Sequence, residues 1–421
     1  TVQASQLIAQ SIVLSGNLSI STDQSITQGG AYTVSGTSSF SAPSTNSIVM
    51  SNAGNAFSGA ITFNGGSVTL HNSIGTVLGA STINGSLSVF SGGAVTQTGA
   101  LAVVGASTIN AGLNAITLNN PDNSFAGPLT LMGGAVSVVS KGNMVVSDLF
   151  RGANSSLNLV AGGVLSLPNA TIDTGTPALT LRSNGGVRST RGTLKGGQID
   201  LAGQGGITLS HDVTTPGTLS LTSGGAIFQI ASALTASRLT GSSLGNTVLS
   251  GAGNQVSTLG DFSAADFTLA SSLPLTVTGA LWANNVSLAS GSGTTVVTGA
   301  VNASGRTTID SGTTLQIGTG GTQGSISGNV VNNGTLSFNR SDALAYAGSI
   351  SGTGSLVKNS SGTISLTGAS NYAGGTRLLA GRINVGNNSA LGTGALDMAD
   401  GTTLGLAANN LHLANDIVVS G

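Results

Sequence analysis

Few side chains in this protein could do chemistry, and their spacing limits what that chemistry could be. Of 421 residues, 13 are acidic; all of them are Asp, and Glu does not occur. The closest carboxylates are Asp397 and Asp400 in DMADG, followed by Asp261 and Asp266. Cleaving acidic polysaccharide takes paired carboxylates or a Ca²⁺ cage, hence clustered Asp beside Arg, Lys or His. No Asp-Asp pair occurs here, and Asp397 and Asp400 read as an exposed strand and the turn after it. The absence of Cys excludes disulfides, thiolate metal sites and a Cys nucleophile.

The three His stand apart from one another. His71 and His412 lie in VTLHNS and NNLHLAND, where the alternation makes them outward-facing, solvated residues. His211-Asp212 in LSHDVTT is the one adjacent acid–base pair. Neighbours on a strand point to opposite faces and do not converge on a substrate. Asp310-Ser311-Gly312 has the residue types of a serine-protease nucleophile triplet, but it lacks the preceding Gly and following Ser-Pro of that pattern. The Gly-rich stretches Gly251–Asn254 and Gly318–Gly321 are followed by no Lys and open no helix, so they are turns and no phosphate loop. The GGxGxDx calcium repeat is missing. The sequence thus predicts no catalytic residue, metal ligand or cofactor, and no enzyme.

One charge concentration stands out. LRSNGGVRSTRGTLKGG carries Arg182, Arg188, Arg191 and Lys195 without an acid. Two readings stay open: solvated turns that keep the protein soluble, or a contact site for sulfated or acidic glycan, since Arg suits planar anionic groups. Elsewhere charge is sparse, with no Asp, Lys or Arg between Gln24 and Pro121. A net charge of −1 offers no attraction to nucleic acid or anionic lipid. No run of about 18 apolar residues forms, so this chain is expected not to insert in a membrane. The N-terminus lacks the basic start and apolar run of a signal peptide and reads as a mature or excised fragment.

The elements that position these residues are strands. Charged residues make up 6% of the chain, with 66 Gly and an excess of Ser, Thr, Asn and Val over good helix formers. At 39% hydrophobic the chain is too apolar for disorder. Short alternations bounded by Gly, Asn or Ser read as strands: ISLTG (Ile364–Gly368), LNLVAGG (Leu157–Gly163), LSLTSGG (Leu219–Gly225). Internal repetition is the strongest signal. Asn46–Leu70 matches Asn114–Val138 with Phe57 on Phe125; Gly30–Ala42 matches Gly99–Ala111; Gly85–Gln97 matches Gly217–Gln229. Phe57, Phe125, Tyr346 and Tyr372 recur at equivalent repeat positions, which predicts core or corner stacking and not sugar platforms.

An all-β fold without helices leaves antiparallel sandwiches or barrels, or a parallel β-solenoid. Repetition over the whole length with no linker favours the solenoid, a single elongated rod. At roughly 20–25 residues per turn it has about 17–21 turns and a length of about 80–100 Å. The final LHLANDIVVSG stops in mid-pattern, so more turns are expected to follow in the parent protein.

Ser351–Leu404 closely resembles the autotransporter-associated β-strand repeat, whose outline is G-x-G-x-L-x-K, G-T-L-x-L-x-G, N-x-Y-x-G-G-T and A-L-G-x-G. Gly354, Leu356 and Lys358 fit the first part; Gly362, Thr363, Leu366 and Gly368 the second. Asn371, Tyr372, Gly374, Gly375 and Thr376 fit the third, and Ala390, Leu391, Gly392 and Gly394 the last. Leu194–Ile227 resembles, more loosely, the repeats of filamentous-haemagglutinin-type exoproteins. Residues 1–320 then read as degenerate repeats and 321–421 as the autotransporter-associated segment continuing the same solenoid. The resemblance implies a right-handed parallel β-helix, secreted or on the surface of a Gram-negative bacterium. It implies an outer-membrane translocator on a separate segment or chain. The expected function is a non-enzymatic adhesin contacting a host or bacterial surface ligand, a glycan among the candidates. The alternatives are self-association into extracellular fibres or matrix and, as a minor one, a polysaccharide-active β-helix enzyme.

Overall fold

The computed structural model describes residues 2–3, 10–188 and 192–420. Among the described residues all elements are β-strands and no helix occurs. The chain folds as a parallel β-solenoid of about 20 turns, as its alternation and repetition predict. It divides into two compact units, Thr1–Ile207 and Thr208–Gly421.

In the first unit, Ile48–Met50, Val68–Asn72, Leu87–Ser91, Ser107–Asn110 and Leu129–Gly133 pair in succession, all parallel. The register carries Met50 onto Leu70, then Val89, Ile109 and Leu131, and all five are buried. Alternation along each strand puts every second residue inside, so each turn adds one apolar side chain to such a ladder. Each fully buried aliphatic contributes about 1.5–3 kcal/mol.

The second unit has a longer ladder. Leu219, Leu239, Leu259, Val277, Val297 and Ile317 lie in register, each one turn after the last. Phe338, Lys358 and Leu378 continue it. All nine are buried, Lys358 included. Its Nζ donates to the Ser360 carbonyl and, at 3.2 Å, to the Ser360 hydroxyl, so the ammonium closes a corner while its stem fills the ladder. Burial pulls the Lys358 ammonium below the usual lysine range.

The sequence repeats mark corners locked by paired amides. Gln28 Nε2 donates to Asn55 Oδ1 at 2.8 Å, and Asn55 Nδ2 donates back to Gln28 Oε1 at 2.9 Å. Asn55 also accepts from the Tyr32 N–H at 2.9 Å and donates to the Met50 carbonyl at 3.1 Å. Gln97 with Asn123 and Gln229 with Asn254 repeat the clasp, on the Leu101 and Leu234 N–H groups. Asn55, Asn123 and Asn254 are completely buried, which only a fully bonded amide tolerates. The recurring aromatics behave as expected: Phe57, Phe125, Tyr346 and Tyr372 are all buried.

Candidate functional site

Four carboxylates bond to the following turn. Asp212 Oδ1 accepts from the Ala233 N–H at 2.8 Å, and Asp261 Oδ1 from the Ala280 N–H at 2.8 Å. Asp266 Oδ1 accepts from the Asn285 N–H at 3.0 Å and its Nδ2 at 2.8 Å. Asp397 accepts from the Ser420 hydroxyl at 2.9 Å and lies 3.9 Å from Arg377 Nε. Each bridges one turn to the next and faces no second carboxylate as a partner. Among the described residues no group of three or more His or Asp is placed to hold a metal ion.

The His residues take three different environments. His412 is exposed, and the His71 ring lies 6.1 Å from that of Phe90. His211 is buried with Nε2 3.0 Å from the Ser210 hydroxyl, while its neighbour Asp212 is engaged with Ala233. Asp310-Ser311-Gly312 is a turn, closed by the Thr313 N–H and hydroxyl on the Asp310 carbonyl at 3.1 and 2.8 Å, with Gly312 at φ 77°.

The cation run spreads over three strands of one turn. Arg182 lies on Ala178–Ser183, Arg188 on Val187–Arg188 and Lys195 on Leu194–Lys195. Each strand pairs within a different column, in register with Val160, Ser166 and Asp173 respectively. Arg182 Nη2 pairs with Asp200 Oδ2 at 2.5 Å, and the register sets Lys195 beside Asp173. Arg188 is exposed and makes no ion pair among the described residues, while Arg191 lies outside them. Linear proximity therefore overstates the patch, because carboxylates distant in sequence, Asp200 and Asp173, stand next to two of its cations.

A groove lies elsewhere, in the second unit, where long strands bend. Ala280–Ser290 and Ala300–Ile309 each turn a corner with a register shift, between Ala283 and Asn285 and between Asn302 and Arg306. Such bulges re-aim side chains. The result is a groove of about 590 Å³. Ser263, Trp282, Asn302 and Ser327 follow one another in register along it. Ala283 and Ala303 are buried at its floor, and Leu244 and Trp282 stand 81% and 59% exposed at its edge. The Ser327 hydroxyl donates to Asn302 Oδ1 at 3.2 Å and that of Ser304 to Asn284 Oδ1 at 3.3 Å. Sequence reading missed this groove. A lone Trp carries no periodic signal, and the concavity arises from bulges that leave no residue signature.

A smaller cleft of about 290 Å³ in the first unit is lined by Asp148, Phe150, Arg151 and Asp173 among others. Arg151 Nη1 donates to the Asp173 carbonyl at 3.2 Å. Desolvation lowers the Arg151 pKa, and the Asp173 charge opposes that shift.

This geometry describes a repeat protein whose polar side chains mostly serve its own turns. A family model described as repeats of unknown function (DUF5649) matches residues 1–64 and 65–132, the region of the Phe57 and Phe125 repeat. The Adhesin BmaC autotransporter of Brucella suis biovar 1 (strain 1330) is 69% identical over 55 residues, which is 13% of this chain. The chain spans 2% of the length of that protein. These findings bear out the likeness to autotransporter passenger repeats. No solved structure matches the chain.

Proposed function

We propose that the protein is a non-enzymatic, adhesin-like passenger on the outside of a Gram-negative cell, held there through an outer-membrane translocator on a separate segment or chain. The observation that carries this reading is the use of the reactive groups. Asp212, Asp261, Asp266 and Asp397 bond to the neighbouring turn, and the groove around Trp282 is lined by no ionisable residue. A surface of stacked turns remains, suited to repeated contacts with a host or bacterial surface. The likeness to an adhesin autotransporter over 55 residues supports the same role. Arg188 and Lys195 are exposed members of the cation run that make no ion pair among the described residues and can meet an acidic glycan directly.

Fluorescently labelled protein titrated onto epithelial cells and onto Gram-negative cells tests the proposal. Saturable binding is expected, with no reducing or unsaturated sugar released from acidic polysaccharide. Turnover of a polysaccharide, or no saturable binding to either surface, overturns it. Filaments appearing with concentration and without any ligand would replace it with self-assembly.

A further inference from the structure

We propose that the bent-strand groove around Trp282 binds a neutral, extended oligosaccharide, with the indole as stacking platform. The proposal rests on the adhesin reading for its biological setting and gives that reading a ligand class. Three observations carry it. Trp282 is the protein's one Trp, 59% exposed on a groove wall with Leu244 at 81%. Exposing two large apolar side chains around a cavity, instead of singly, marks a binding surface. A flat apolar face flanked by polar groups suits the C–H face of a pyranose ring, with the sugar hydroxyls meeting the flanks.

The second observation is charge. None of the lining residues is ionisable: they are Ser, Ala, Asn, Leu and Trp only. An anionic or cationic ligand would be desolvated there without a counter-charge, so the occupant is neutral. The third is periodicity. Ser263, Trp282, Asn302 and Ser327 are one turn apart in successive turns, a spacing of about 4.8 Å. Asn284 and Asn302 use their Oδ1 atoms for Ser304 and Ser327, while their Nδ2 groups have no protein partner among the described residues. A row of amide donors and hydroxyls at polymer-like spacing matches a chain of hydroxyl-bearing units better than one compact molecule. The volume of about 590 Å³ lies within the range of ligand sites.

Because Trp282 is the one Trp, its own fluorescence reports occupancy. Cellotetraose and tetra-N-acetylchitotetraose are titrated into the intact chain, with a heparin tetrasaccharide as anionic control. A saturable blue shift and protection from acrylamide quenching by either neutral sugar, unchanged by salt, is expected. Asn302→Ala, which keeps the reporter, should weaken binding on the order of tenfold. Trp282→Ala should abolish it by calorimetry while far-UV circular dichroism stays unchanged. No response to either neutral sugar at millimolar concentration overturns the proposal. An equal response to heparin, or a response only to a neutral Ser/Gly peptide, does the same. Failure here leaves saturable cell binding intact, whereas sugar binding without cell binding would overturn the adhesin reading alone.

Discussion

The amide clasps allow a magnitude to be worked out in advance. Asn254 accepts from Gln229 Nε2 at 2.6 Å and from the Leu234 N–H at 3.0 Å. It donates to Gln229 Oε1 at 3.0 Å and to the Leu249 and Ala270 carbonyls at 3.1 and 3.2 Å. In Asn254→Ala the Gln229 amide can turn towards solvent, but the buried Leu234 N–H loses the side-chain oxygen it donates to. An unmade buried group costs about 1–3 kcal/mol, which is the loss expected. Turns contact only their neighbours, so the damage should be local. The assay is urea unfolding followed by Trp282 fluorescence, with hydrogen exchange at the Leu234 amide, whose protection should fall. Asn254→Asp adds a sign test. It keeps the acceptor for Leu234 but sets a second oxygen against three other oxygens with no cation, which raises that carboxyl's folded pKa. A group with a raised folded pKa is favoured protonated, so this variant should regain stability as pH falls and lose it towards neutrality. A loss below about 0.5 kcal/mol for Asn254→Ala with Leu234 still protected, or an Asn254→Asp variant indifferent to pH, would refute the reasoning.

Alkaline pH should act through three buried groups. Burial raises the Tyr346 and Tyr372 hydroxyls, so their contribution is intact up to the unfolded value of about 10 and is lost as pH rises beyond it. Burial lowers Lys358, so its cost is relieved as pH climbs from that lowered value towards about 10.4. Thermal melts of Lys358→Met across this range should lack that gain, and Tyr346→Phe with Tyr372→Phe should flatten the fall. Gly328 sits at φ 86° with the Ala303 carbonyl oxygen 1.8 Å from a Cβ placed there. Chemical denaturation should show Gly328→Ala destabilised by more than about 2 kcal/mol, and Gly321→Ala, whose Cβ would meet nothing within 4 Å, unchanged. The Arg182–Asp200 pair is 56% and 28% exposed, so Asp200→Asn should cost at most about 1 kcal/mol and nothing measurable at about 1 M salt.

Much of this architecture was legible in the chain. Alternation needs only local chemistry, since a strand places successive side chains on opposite faces whatever surrounds it. Leu157–Ala161 and Leu219–Ser223 could therefore be read as strands, and their buried and exposed positions follow the alternation. The recurrence of Phe57 and Phe125 and of Gln97 and Gln229 was visible too. Their pairing partners were not. Gln28 meets Asn55 across 27 residues and Gln229 meets Asn254 across 25, distances set by how much chain one turn consumes.

The sequence also repeats on a different period from the fold. Ile48 and Ile116 are equivalent in the repeat, yet Ile48 pairs with Val68 while Ile116 pairs with Val95 and Val136, in another column. Every column offers the same inward–outward alternation, so one motif can occupy any of them, and only the register assigns it. The same reason explains the sites. Arg182, Arg188 and Lys195 are close in the chain, but the turns between them carry each to its own column, Arg182 and Lys195 beside carboxylates from other turns. Trp282 and Asn302 are 20 residues apart and become neighbours because one turn separates them. Composition and alternation determined by themselves that the chain is all-β, and its repetition favoured the solenoid over a sandwich or barrel. Register and the bulged corners, which depend on contacts a turn away, decided which side chains share a surface.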